Sequence, residues 1–302
     1  MLVWSVGEVL WDVFPEGERF GGAPLNFCAN IQRLGGQALL LSAVGDDERG
    51  RLALDRMRGL GLSTEAIGIS HELPTGIATI ATNADGDASF VIPRPAAFDS
   101  LRIDDATLLK AKAAGVCWLY FGTLLQTDAV MEKSTTALAN AVQPAQCFYD
   151  MNLRTGHWNL TLVQRLSRLA SIVKLNEAEA ETLFELTFGA DRPFSMEEFC
   201  RIWSKTYTIG MICVTLGPAG CLVYQAESEA FTRVPAYPVT VCDTVGSGDA
   251  FAAAFLYFYA QGRTVMESAR FANALGALVA SRAGATPEWT LAEIEALLPA
   301  GS

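Results

Sequence analysis

Short apolar runs alternate along this chain with longer stretches in which apolar positions recur at helical spacing. The first run, 1–6, reads as a strand, and 24–34 has helical spacing that stops at Gly35-Gly36. The apolar run 38–44 ends at Gly45-Asp46-Asp47, and 50–60 is helical up to Gly61. Further strands are predicted at 116–121, 146–150, 172–175, 211–215 and 221–224. Helical stretches fall between most of them, among them 128–142 and 161–169, and others follow at 250–259 and 265–282. Strands that alternate with helices predict an α/β fold, doubly wound around a mostly parallel sheet, with residues 1–302 as one domain.

One region departs from that rhythm. Residues 76–82 and 88–92 are strand-like and flank Asn83-Ala84-Asp85-Gly86-Asp87, a hairpin signal. Residues 13–20 also read as extended, with a turn at Pro15-Glu16-Gly17. A small sheet drawn from about 12–22 and 74–98 could be an edge hairpin or a lid that keeps water from a reaction.

Composition narrows the classes. Of 302 residues, 51% are hydrophobic and 18% charged, which suits a sheet buried on both faces. The net charge of −11, with no basic patch, argues against a nucleic-acid partner. An anionic substrate would then depend on helix N-termini and a few arginines. The seven cysteines are odd in number, lack a CxxC pair and sit mostly in apolar runs, as expected in a reducing compartment. Two histidines make a His-rich zinc site improbable. The N-terminus has no basic segment or cleavage site, and the longest uncharged run is broken by Leu216-Gly217-Pro218-Ala219-Gly220. A soluble, cytoplasmic protein without a membrane span is expected.

The richest stretch for chemistry is Asp243-Thr244-Val245-Gly246-Ser247-Gly248-Asp249-Ala250-Phe251. A glycine-flanked turn at a helix start presents unpaired N–H groups and the positive end of the helix dipole, a place to hold an anion. Asp249 stands at the same turn. Donors for developing negative charge beside a base suit phosphoryl transfer to an alcohol, although Ser-Gly-Asp is also an ordinary helix cap. A carboxylate there is expected to stay ionised.

Gly21-Gly22-Ala23-Pro24-Leu25-Asn26 is a second such start, with Asn26 suited to a polyol hydroxyl. Asp12 ends the first strand region, where a carboxylate could grip two sugar hydroxyls or simply meet solvent. In Asp150-Met151-Asn152-Leu153-Arg154 the polar residues share a side if the chain is extended, and Arg154 could bind phosphate or form a loop ion pair. Asn176 and Glu179 could face the water shell of Mg²⁺ or cap a helix, and the two roles are compatible. Val214-Thr215-Leu216-Gly217-Pro218-Ala219-Gly220 reads as a strand and turn that either brackets a nucleotide or forms a hairpin. Neither a P-loop nor a dinucleotide-type glycine motif occurs.

Taken together and in this order, these blocks resemble the PfkB (ribokinase-like) carbohydrate kinases from Gly7 to about Pro287, most like bacterial fructokinases. The resemblance implies a Rossmann-like domain with a β-sheet lid and an ATP-dependent sugar kinase. Asp249 matches the family's base, and Gly246, Ser247 and Gly248 match its anion hole. Asp12, Gly22 and Asn26 match sugar-binding positions, Arg154 the arginine of an Asp-x-Asn-x-Arg motif, and Asn176 with Glu179 the Asn-x-x-Glu motif linked to Mg²⁺. Thr215, Gly217, Gly220 and Asn273 fall where the nucleotide is held. Some members bind K⁺, which here would use Asp243 and the backbone oxygens of Val245, Ala280, Ala283 and Ala285. Arg94 would reach the substrate from the lid or be an exposed hairpin arginine. Fructose is the expected acceptor, ahead of 2-keto-3-deoxygluconate or another sugar acid. A sugar or nucleotide sensor on the same fold is the alternative of another kind. A homodimer paired through the lid is a further expectation.

Overall fold

The computed structural model describes residues 1–15, 17–82 and 88–298. Its strands are β1 Leu2–Val6, β2 Leu10–Phe14, β3 Gly17–Gly21, β4 Gln37–Gly45, β5 Ile67–Ser70, β6 Gly76–Thr82 and β7 Ala88–Val91. They continue with β8 Trp118–Gly122, β9 Gln146–Asp150, β10 Ile172–Asn176, β11 Met211–Thr215, β12 Cys221–Gln225 and β13 Ala230–Val234. Nine of them form one sheet in the order β13-β12-β11-β10-β9-β8-β1-β4-β5. Every pair from β11 to β5 is parallel, and β12 and β13 add an antiparallel edge.

The apolar runs are unbroken because successive side chains enter different cores. In β1, Val3 packs with the layer that holds helices Ala23–Arg33, Ser247–Ala260 and Val265–Ala280, whereas Trp4 and Val6 join the opposite layer. Both faces are thus dry, as a parallel sheet between helical layers requires.

Chain order reverses between β1 and β8. The first crossovers move outward to β4 and β5; the later ones start on the other side of β1. Crevices at such a switch point, beyond the carboxyl ends of the strands, are where open α/β sheets hold ligands.

A second sheet has the order β3-β2-β6-β7, with two antiparallel hairpins joined by a parallel β2–β6 pair. The predicted tip 83–87 and Glu16 of the predicted turn lie outside the described residues. One expectation is corrected here: Asp12 does not end the first strand but stands in the middle of β2, opposite Arg19 of β3. Among the described residues no helix is long and apolar enough to cross a membrane.

Candidate active site

A cleft of about 320 Å³ opens over the carboxyl ends of β1, β9, β10 and β11, walled on one side by β2 and β6. The start of helix Ser247–Ala260 forms its floor. Gly246 precedes that helix at φ 79°, and a Cβ there would lie 2.3 Å from the Ala285 carbonyl oxygen, so both backbone angle and space demand glycine. The amides of Gly246, Gly248 and Asp249 have no acceptor among the described residues. Ser247 differs from expectation. Its amide donates to Thr244 O at 3.2 Å, and its hydroxyl donates to Gly276 O at 2.9 Å, which ties the turn to the neighbouring helix.

Asp249 projects into the cleft, with Oδ2 accepting a hydrogen bond from Asn26 Nδ2 at 2.8 Å. Burial and the nearby Asp150 push its carboxyl up to about 6, although Lys174, Asn26 and Arg154 favour the anion. The carboxyl is thus more basic than a helix N-terminus alone would make it, because loss of hydration outweighs the dipole, yet at about 6 it remains mostly ionised near neutral pH, as expected. A base with a pKa near the working pH is better matched to taking a proton from an alcohol.

The opposite wall comes from the first helix. Gly22 precedes it at φ 123°, where a Cβ would approach Glu8 O to 2.5 Å. Asn26 Oδ1 is buried without a partner, an acceptor awaiting a donor. Asp12 Oδ2 lies in the same corner, 3.2 Å from where a Cβ on Gly21 would sit. Burial raises Asp12 to about 6, opposed by Arg154 and Arg19 and reinforced by Asp243. The Arg154 guanidinium lines the cleft and makes no hydrogen bond or ion pair among the described residues. The segment leading to it is not extended: Asn152 bends the chain at φ 41°, which leaves Asp150 buried while Asn152 and Arg154 face the cleft.

Two residues in the cleft were missed in the sequence. Lys174 is buried, and its Nζ donates to both Asp150 oxygens at 3.0 Å and lies 3.0 Å from where a Cβ on Gly248 would sit. Burial works against its charge, but Asp150, Asp249 and Glu179 more than offset that and hold the ammonium above the usual lysine range. Tyr120 Oη also donates to Asp150, at 3.1 Å. The other residue, Glu8, accepts the Ala23 amide on Oε1 at 3.2 Å, and burial raises it to about 7. A lysine inside the apolar run Ile172-Val173-Lys174-Leu175 was the available signal for the first, because a lone charge in a buried strand needs a partner.

Some other residues singled out in the sequence stand outside the cleft, and two line it. Arg94 donates to Asp99 and to Leu124 O at 2.7 Å, outside the cleft, because its planar fork fits that carboxylate and carbonyl. Asn273 Nδ2 donates to Val234 O and Pro235 O at 3.0 and 3.1 Å, which spends its amide on joining helix Val265–Ala280 to the end of β13. Gly220 is packed against Val234 O in the β11–β12 connection, and Gly217 faces open space. Thr215 and Asn176 line the cleft.

Asn176 and Glu179 form a reciprocal helix cap: Asn176 Oδ1 accepts the Glu179 amide, and Glu179 Oε2 accepts the Asn176 amide, both at 2.8 Å. Glu179 Oε1 also accepts the Leu153 amide at 2.7 Å. Each oxygen keeps a lone pair, which fits contact with a hydrated Mg²⁺; no cluster of three or more acidic, Cys or His groups among the described residues could hold a bare metal. The implied K⁺ site fits poorly at its one charged ligand, although the Val245, Ala283 and Ala285 carbonyls accept no hydrogen bond among the described residues. Asp243 is already paired with Arg19 and two amides, and Ala280 O accepts the amides of Cys242 and Asp243 at 2.8 and 3.1 Å.

Comparison with known proteins follows the same geometry. The profile described as pfkB family carbohydrate kinase matches residues 8–291. Fructokinase-1 of Zea mays is 31% identical, with 95% of this chain and 94% of that protein covered. Aminoimidazole riboside kinase of Salmonella typhimurium is 28% identical over 94% and 90%. The crystal structure of a fructokinase with bound ATP from Xylella fastidiosa superposes with a TM-score of 0.84 at 25% identity, covering 98% of this chain and 97% of that one.

Proposed function

The chain belongs to the pfkB family of carbohydrate kinases, a phosphotransferase with an alcohol group as acceptor, and from that premise we propose that it uses ATP to phosphorylate fructose, giving fructose 6-phosphate. One observation carries the reading: a carboxylate with a raised pKa and a set of unpaired amides share one cleft floor, facing two acceptors, Asp12 and Asn26 Oδ1, that lack hydroxyl donors.

The sugar would sit between Asp12, Asn26 and Gly22, with one hydroxyl turned toward Asp249. As that oxygen bonds to the γ-phosphorus, the bond from phosphorus to the β–γ bridging oxygen breaks, the proton passes to Asp249, and ADP leaves. Negative charge gathering on the phosphoryl oxygens is met by the amides of Gly246, Gly248 and Asp249, by Lys174 and by Arg154. Mg²⁺ on the nucleotide phosphates, its water shell facing Glu179, would neutralise further charge. Asn176 and Thr215, which line the cleft, would flank the nucleotide. The β3-β2-β6-β7 sheet would act as the lid of one continuous domain, spanning about 12–22 and 74–98, that excludes water as competing nucleophile; its edges are the proposed dimer surface.

The test is ADP release measured across ketoses, aldoses, sugar acids and nucleosides, with NMR of the product. Fructose should give the highest kcat/KM, with phosphate on carbon 6. A higher value for 2-keto-3-deoxygluconate or a nucleoside would replace the acceptor, and no turnover across the panel would favour a sensor.

A further inference from the structure

Asp243 opens the loop that leads through Gly246 into the helix of Asp249. Its Oδ1 accepts the Val245 amide at 3.0 Å, and its Oδ2 accepts the Gly284 amide at 3.1 Å together with an ion pair from Arg19. The Ala280 carbonyl, which closes the same cradle, has spent both lone pairs on backbone amides. A monovalent cation arriving here would find a guanidinium already on the Asp243 carboxylate and the Ala280 carbonyl filled, leaving among the described residues only the neutral carbonyls of Val245, Ala283 and Ala285 without hydrogen-bond donors.

Arg19 is held in that place by the neighbouring strand β2. Its Cζ lies 4.6 Å over the Phe14 ring, and its register partner in β2 is Asp12. Among the described residues this cation therefore faces Asp12 on the acceptor wall and Asp243 on the loop of the anion-binding turn. The Asp243 side chain is 13% exposed and that of Arg19 35%, so the carboxylate end of the pair is shielded while the guanidinium end stays partly open to solvent.

We propose that Arg19 supplies from within the chain the positive charge that fixes the 243–246 loop, so that phosphoryl transfer needs no monovalent cation. Arg19 is a positioning residue: it acts through Asp243 on the turn whose amides face the phosphoryl group. The inference rests on the kinase reading above. It also ties the small sheet to the anion-binding turn, since one side chain belongs to each.

The experiment compares potassium chloride with tetramethylammonium chloride at equal ionic strength. Wild-type kcat should stay within about twofold, because screening is unchanged. Arg19→Gln should lose on the order of tenfold in kcat, about 1.4 kcal/mol of barrier, with the KM for sugar and the melting temperature little changed. Asp243→Asn removes the same pair from the other side, and Arg19→Gln with Asp243→Asn together should be no slower than the worse single variant. Activation of the wild type several-fold by K⁺, full kcat in Arg19→Gln, or multiplicative losses in the double variant would each overturn the proposal. So would a K⁺-specific rise in wild-type melting temperature measured without substrates. That thermal reading needs no turnover, so an inactive protein would count against the kinase assignment and not against this one.

Discussion

The two glycine-flanked helix starts look alike in sequence and do opposite things. Both begin with a positive-φ glycine pressed against a carbonyl, Gly22 on Glu8 and Gly246 on Ala285. At the first, the Ala23 amide is taken by the Glu8 carboxylate, Pro24 has no N–H, and the Asn26 amide closes on Gly22 O at 2.9 Å. A buried acid thus occupies the first amide of that helix end, and only the Leu25 amide of its first turn lacks an acceptor among the described residues. At the second, three amides have no acceptor and a cation, Lys174, stands beside them. Glycine geometry makes an opening in both cases; what differs is the charge placed at the mouth. The first start turns its polar side chain across the cleft and orients the base of the second, through Asn26 and Asp249.

This contrast can be broken most severely at Asp249. Asp249→Asn should keep ATP and sugar binding and lose about 10²–10⁴-fold in kcat, as expected when a general base is removed. Near-normal turnover would remove the reason for distinguishing the two starts. Lys174→Met comes next. It strands the buried Asp150 carboxylate, and thermal or denaturant melting should show a loss of about 3–5 kcal/mol. The same change removes a cation that favours the Asp249 anion, so the acid limb of the pH profile should move to higher pH. An unmoved limb would mean that Lys174 serves the fold alone.

In the unaltered protein, kcat/KM should fall about tenfold per pH unit below about 6, since a base raised to that value is lost to protonation as pH drops. A profile flat to pH 5 would place the proton elsewhere. The smallest effect is expected at Glu8. Its folded pKa, raised from 4.5 to about 7, favours the protonated form, so its stabilising share is complete below its ordinary value and disappears as pH rises through about 7. Glu8→Gln still offers an oxygen to the Ala23 amide. It should therefore melt with less dependence on pH between 5 and 8 than the wild type, by up to about 3 kcal/mol. Equal pH dependence would show that the first helix is not closed by a strained acid.

Much of the fold was legible because strands buried on both faces must be continuously apolar and helices must repeat. The runs at 146–150 and 211–215 coincide with β9 and β11, and the helix read at 128–142 is Ala129–Ala141, capped by Asp128. Asp249, Asn26, Gly22 and Gly246 were legible for a local reason: turn chemistry and helix starts are written in consecutive residues. Arg94 and Asn273 were misplaced because the direction of a long or amphipathic side chain depends on the nearest competing acceptor, Asp99 for one and Val234 O for the other. Lys174, Glu8 and Arg19 escaped notice because each draws its meaning from a carboxylate or amide distant in sequence.

The residue order by itself determined a parallel α/β sheet, a second small sheet and two helix openings, since periodicity and glycine requirements act over a few neighbouring positions. Only the tertiary structure decided which opening an acid occupies and which is free, how far Asp249 is raised, and which cation sits on Asp243. Those outcomes are set by desolvation and by charges brought together from the β1–β2 connection, β2, β3, β9 and β10, and Coulomb energies depend on separation in space and local polarity rather than on position along the chain.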